Sequence, residues 1–125
     1  MTRFFLALAS LFAGLSVAAG AFASHALKAK LSVRSLEVFE TGAKYQMYHA
    51  LALLFVVLLL SRAEAAQGLL TAAGFAFVVG ILIFSGSLYA LALTGNRQLG
   101  AITPLGGVAF LVGWGCLFLA AFSYK

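Results

Sequence analysis

The run Tyr45-Gln46-Met47-Tyr48-His49-Ala50-Leu51-Ala52-Leu53-Leu54-Phe55-Val56-Val57-Leu58-Leu59-Leu60-Ser61 decides how this chain is read. A bilayer core of roughly 30 Å needs about 20 helical residues, and this stretch without Lys, Arg or Glu offers 17. Its wholly apolar part, 50–60, is too short alone. To cross, the segment must carry Tyr45, Gln46 and His49 with it, which places an amide and an imidazole about one turn inside the hydrocarbon boundary. Polar groups at that depth require partners.

Working outward, three longer charge-free runs stand around it: 4–24, one within 65–96 and one within 98–124. The composition agrees, since 64% of the 125 residues are hydrophobic and only 9% are charged, against roughly 25% charged in a soluble domain. An ordinary soluble globule and a disordered chain are both excluded. No segment alternates like a membrane strand, and lipid obliges every backbone group to pair internally, so helices are the spanning element. The expected fold is therefore all-α: an integral membrane four-helix bundle forming one domain over 1–125, with spans at about 4–24, 45–61, 69–93 and 104–123. Arg3, an apolar run and Ala21-Phe22-Ala23 imitate a secretory signal, but the run is longer than such signals use, so it is read as a retained helix.

The one substantial polar segment is 26–44. From Ser32, a suitable N-cap, Val33, Leu36, Phe39 and Ala43 recur at helical spacing while Arg34, Glu37, Thr41 and Lys44 fall elsewhere. This predicts an amphipathic interfacial helix over 32–44 between spans 1 and 2, running into span 2. Glu40 and Lys44 have the favourable i, i+4 order. The other links are short and imply antiparallel neighbours, with Gly95 and Asn96 as helix-stop signals and Thr103-Pro104 opening the last span, the threonine as cap.

Helices in lipid associate where small residues let backbones approach. Ser10, Gly14 and Ala18 align in span 1, as do Ser16, Gly20 and Ser24; Ala72, Ala76 and Gly80 align in span 3, and Ala109 and Gly113 in span 4. Gly14, Gly20, Gly80 and Gly113 are thus the expected packing positions, sufficient for a bundle and for a homo-oligomeric contact. Trp114, far from either headgroup belt, is expected to fill a helix or subunit interface.

Eight Lys and Arg against three Glu give a formal charge of +5. The basic residues lie between or beside apolar runs, which points to anionic lipid headgroups and away from nucleic acid. Lys28, Lys30, Arg34, Lys44 and Arg97 share one side and Arg3, Arg62 and Lys125 the other, so the positive-inside rule leans toward both termini outside. Cys116 is alone, leaving no intrachain disulfide or cysteine metal cluster.

Few residues carry chemistry. Glu40, Lys44, Gln46, Tyr48 and His49 form a candidate polar cluster at the start of span 2, placed as the mouth of a path for protons or a small solute in an oligomer would be. His25 and His49, closing span 1 and opening span 2, form a weaker ligand pair for haem or a metal. There is no Asp, no H-E-x-x-H and no phosphate loop, and Ser24-His25 lacks an orienting acid, so no catalytic residue is assigned and no cofactor or metal is expected. What remains is a structural, assembly or accessory component of a membrane complex, not an enzyme.

Gly20-Ala21-Phe22-Ala23-Ser24-His25-Ala26-Leu27, Phe39-Glu40-Thr41-Gly42-Ala43-Lys44-Tyr45-Gln46-Met47-Tyr48-His49-Ala50-Leu51, Phe84-Ser85-Gly86-Ser87-Leu88-Tyr89 and Leu99-Gly100-Ala101-Ile102-Thr103-Pro104-Leu105-Gly106-Gly107 occur in this order. Together they resemble the domain of unknown function 423 family, related to the eukaryotic transmembrane protein 256 family. That family commonly has glycine then alanine where this chain has Ala23 and Ser24. The resemblance implies a small multi-span protein of the bacterial plasma (inner) membrane, and it carries no functional residue onto this chain.

Overall fold

The computed structural model describes all residues from Met1 to Lys125. It is helical throughout, without a strand, and four rods are long and apolar enough to cross a membrane: Thr2–Leu27, Val33–Arg62, Gln67–Thr94 and Arg97–Ala120. We number the α-helices α1 (Thr2–Phe22), α2 (Val33–Arg62), α3 (Gln67–Gly80), α4 (Gly86–Thr94) and α5 (Thr103–Ala120). A π-helical turn, Ala23–Leu27, extends α1, and another, Ile81–Ser85, joins α3 to α4 without breaking the rod. Wider turns of this kind keep backbone groups paired while resetting the helix face by one residue.

Each expected span lies largely within one of these rods; the first two rods run beyond their charge-free stretches, and the last two stop short of the ends of theirs. The largest extension is in α2, whose 30 residues make a rod of about 45 Å. Ser32 caps it as expected, its hydroxyl accepting from the Ser35 amide at 3.1 Å. The amphipathic stretch 33–44 is thus helical, but it is the first three turns of the same rod and not a separate element. Phe39 explains why it stays upright: it is buried, with its ring 4.8 Å from that of Tyr89 on α4. Around it Ala23, Leu27 and Ala92 make a second small apolar core at this end of the bundle.

The turn after α4 follows the sequence signals. Gly95 caps the helix in the left-handed region at φ 72°, and the Asn96 side chain caps a short 3-10 turn, Arg97–Ala101, by accepting from Gln98 N–H. Thr103 does not cap α5. Ile102 takes that position with no side-chain cap, and the Thr103 hydroxyl instead pairs with Ser87 Oγ on α4 and reaches Leu99 O. With the preceding turn already supplying backbone partners, the hydroxyl is free to tie α5 to α4.

Close packing runs through rings set on glycines. A Cβ on Gly80 would stand 2.3 Å from the Phe110 ring, one on Gly113 2.5 Å from Phe77, and one on Gly74 2.4 Å from Phe5. At Gly106 the obstacle is backbone, with Phe84 N at 2.3 Å. Gly80 and Gly113 are therefore packing residues, as expected. Gly14 and Gly20 are not packing positions within the chain, because nothing lies within 4 Å of a Cβ at either. The buried face of α1 is instead Phe5, Ala9, Phe12 and Ser16, where large rings fill the space and the small Ser10-Gly14-Ala18 stripe turns outward.

Candidate functional site

Gln46 lies at the centre of the polar interior. Its position one turn after Gly42 on the buried face of α2 lets the side chain reach two neighbouring helices. Nε2 donates to Phe12 O on α1 at 2.8 Å, and Oε1 accepts from the Tyr89 hydroxyl on α4 at 2.7 Å. Two serines repeat the arrangement a turn away: Ser16 Oγ donates to Ala43 O, and Ser85 Oγ donates to Gly42 O at 2.7 Å. The close approach of α4 that permits this depends on Gly42, where a Cβ would come within 3.0 Å of the Tyr89 ring.

His49 sits one turn further along α2, 5% exposed and facing α3 and α5. Its ring lies on that of Phe110, with centroids 3.5 Å apart and planes 8° from parallel. Nδ1 is 2.8 Å from Tyr45 O, and Trp114 Nε1 is 3.1 Å from Nε2. An indole N–H only donates, so Nε2 accepts and the proton resides on Nδ1, which donates to the Tyr45 carbonyl. Both nitrogens of a neutral imidazole are thereby engaged. An amide and an imidazole inside a membrane span need partners, and both have them; no buried side-chain polar atom lacks a partner.

The other sequence candidates fall elsewhere. Glu40 and Lys44 line a surface groove of about 390 Å³ together with Arg34, Glu37 and Thr41. Tyr48 is 54% exposed on another face of α2. The five residues Glu40, Lys44, Gln46, Tyr48 and His49 are therefore a surface group, an outward ring and two internal clasps, and do not converge on one path. His25 is exposed in the π-turn after α1. The bonds joining Ser16 to Ala43 and Gln46 to Phe12 set α1 antiparallel to α2, which puts His25 roughly 22 Å along the bundle from His49 at 1.5 Å per residue. The pair does not meet, because the expectation placed both at one membrane face whereas His49 is near the middle of its helix.

Sequence reading missed the partners, Tyr89, Ser85, Ser16 and the Trp114 donor role, together with Gly74 and Gly106 as close-approach positions. The weak signal available for the glycines was the abundance of Phe and Gly, twelve and thirteen residues. A recess of about 560 Å³ at the other end of the bundle is lined by Phe55, Leu59, Leu70, Trp114 and Phe118 among other residues, and its lining is almost wholly apolar.

Residues 19–107 match the family model described as "Protein of unknown function (DUF423)". The chain belongs to that family. Among DUF423 relatives, the UPF0382 membrane protein YwdK of Bacillus subtilis is 46% identical over 98% of each chain. A UPF0382 membrane protein of Haemophilus influenzae is 40% identical over all of this chain and 98% of its own length, and one of Staphylococcus epidermidis is 44% identical over 98% of each. No solved structure gives a significant match. The matched DUF423 region contains Gln46, His49, Ser85 and Tyr89 but stops before Trp114. Four apolar rods and relatives named as membrane proteins make this chain a bacterial integral membrane protein.

Proposed function

We propose that this DUF423 protein is a non-catalytic structural, assembly or accessory component of a larger complex in the bacterial plasma membrane. The observation that carries the reading is the commitment of the interior polar groups to one another. Gln46 joins three helices, His49 is held on both nitrogens, and Ser16 and Ser85 close on α2 carbonyls. Groups that move protons or bind substrate need a free valence facing a cavity, whereas these fix the register of helices. A sealed, internally bonded bundle supports a role exercised at its lipid-facing sides and ends, through a partner membrane protein or further copies of itself.

The topology that accompanies this reading puts the links after spans 1 and 3 in the cytoplasm and both termini outside, on a count of five basic side chains against three. Co-purification from the native membrane in mild detergent, read by native gel and mass spectrometry, is expected to give one defined partner in constant ratio. A protein recovered only with itself, and carrying ion flux above empty controls in proteoliposomes, would establish conduction in its place. A reporter active only in the cytoplasm, fused after Lys125, is expected to be silent.

A further inference from the structure

At the end of the bundle opposite the Phe55–Phe118 recess, a groove of about 430 Å³ separates the first turns of α2 from the end of α4. Its polar lining is Arg34 and Ser35 from α2 and Arg97 from the turn after α4, over an apolar floor that includes Val38 and Leu91. Two features of the chain bring the arginines together. The upright α2 stands Arg34 beside α4, and the left-handed Gly95 reverses the chain so that Arg97 returns over the same slot. Arg34 and Val38 also border the adjoining groove that Glu37 and Glu40 share with Lys44 and Thr41, whereas the groove that holds Arg97 is lined by two guanidinium groups and no carboxylate.

We propose that this groove is a binding site for the phosphate of an anionic membrane phospholipid. Guanidinium groups bond phosphate oxygens in pairs of parallel hydrogen bonds, and two of them approaching from different elements define a position where a single basic residue would not. The start of α2 adds the positive end of a helix dipole to the same place. The ligand is a lipid because the floor is apolar and the slot opens at a bundle end carrying Lys28, Lys30, Arg34, Lys44 and Arg97 against Glu37 and Glu40. Free phosphate has no use for Val38 and Leu91. The headgroup phosphate sits between Arg34 and Arg97, and the glycerol and first methylenes lie along the floor.

The test is native mass spectrometry of the full chain, released from micelles doped with dioleoyl phosphatidylglycerol or with dioleoyl phosphatidylcholine at equal mole fraction. One retained phosphatidylglycerol per chain is expected, in excess over phosphatidylcholine. The double variant Arg34→Gln, Arg97→Gln is expected to lose retention about thirty-fold, given that each basic side chain at a membrane surface contributes about 1 kcal/mol. Lys28→Gln with Lys30→Gln removes the same charge from the same end and is expected to keep the lipid. Equal retention of the two lipids, or equal loss in the two double variants, overturns the site. So does complete displacement by millimolar inorganic phosphate, which would make the groove a free-anion site. Unchanged melting of both variants in phosphatidylcholine micelles shows that the fold is intact, as the exposure of all four side chains predicts.

Discussion

The α3–α5 face and the α1–α2–α4 face of this bundle are held together by different physics. Between α5 and the rod formed by α3 and its π-turn, Gly80, Gly106 and Gly113 receive Phe110, Phe84 and Phe77, and the contact is dispersion between surfaces at close range. Between α2 and its neighbours α1 and α4, Gln46, Ser16, Ser85 and Tyr89 supply hydrogen bonds. Lipid tails are as apolar as leucine, so neither face gains from hydrophobicity alone. A face of the first kind should fail when a carbon is added, and a face of the second kind when a partner is removed.

The largest effect is expected at Gly106. An added methyl there meets the Phe84 amide nitrogen at 2.3 Å and its Cα at 2.7 Å, and backbone inside a continuous rod cannot swing away as a ring can. Gly106→Ala should cost about 3 kcal/mol, the upper part of the range for overpacking, measured by titrating denaturing into mild detergent and following helicity. Gly80→Ala and Gly113→Ala, where the obstacle is a phenylalanine ring, should cost less. Should Gly106→Ala melt with the native protein, dispersion at close range is not what holds α5.

Next comes the hub. Gln46→Leu keeps the volume but strips the Tyr89 hydroxyl and the Phe12 carbonyl of their partner, for an expected loss of about 1–2 kcal/mol. Tyr89→Phe removes the opposite end of one bond. Combining the two should cost less than the sum of the singles, by about 0.6 kcal/mol, as interhelical hydrogen bonds in membranes average. Strict additivity would mean that the bond contributes nothing and that the polar face is held by shape, as the other is.

The two faces were unequally legible before the structure. Span number, the Ser32 cap, the Gly95 stop and the need of Gln46 and His49 for partners all follow from local rules, because each concerns one helix and its solvent. Phe12, Tyr89 and Trp114 as the partners on neighbouring helices do not follow, since they depend on how far one rod slides along another. Gly14 and Gly20 show the same limit from the other side. Four-residue spacing identifies a stripe on which a helix can be approached, but whether a neighbour lies there depends on rotation, and α1 is rotated so that Phe5, Phe12 and Ser16 face inward. The upright extension of α2 over 33–44 likewise separates His25 from His49, which sequence order places at adjoining ends of their spans.

Trp114→Phe sharpens the comparison because it touches both kinds of contact. The phenyl ring can keep much of the edge contact with Phe77, now at 5.0 Å between centroids, but the donor to His49 Nε2 is gone. The expected loss is about 0.5 kcal/mol, with a clear movement of the His49 Nε2 nitrogen resonance toward that of an unbonded lone pair. A resonance that stays in place would show that the indole N–H points elsewhere in the membrane.

The smallest effect is expected at Gly14, and it is the most informative about what lies outside a single chain. Nothing stands within 4 Å of a Cβ there, and alanine is the better helix former by up to about 1 kcal/mol. Gly14→Ala should therefore be neutral or slightly stabilising in dilute detergent, opposite in sign to Gly113→Ala. The measurement is repeated at protein concentrations that differ a hundred-fold. If the variant turns destabilising only at the higher concentration, while the native chain gains stability there, the outward Ser10-Gly14-Ala18 stripe is covered by a second copy. α1 would then belong, on its outer side, to the same dispersion-held class as α5. If the neutral result holds at both concentrations, the stripe faces lipid tails, and the glycine contacts within one chain are the whole of this protein's close packing.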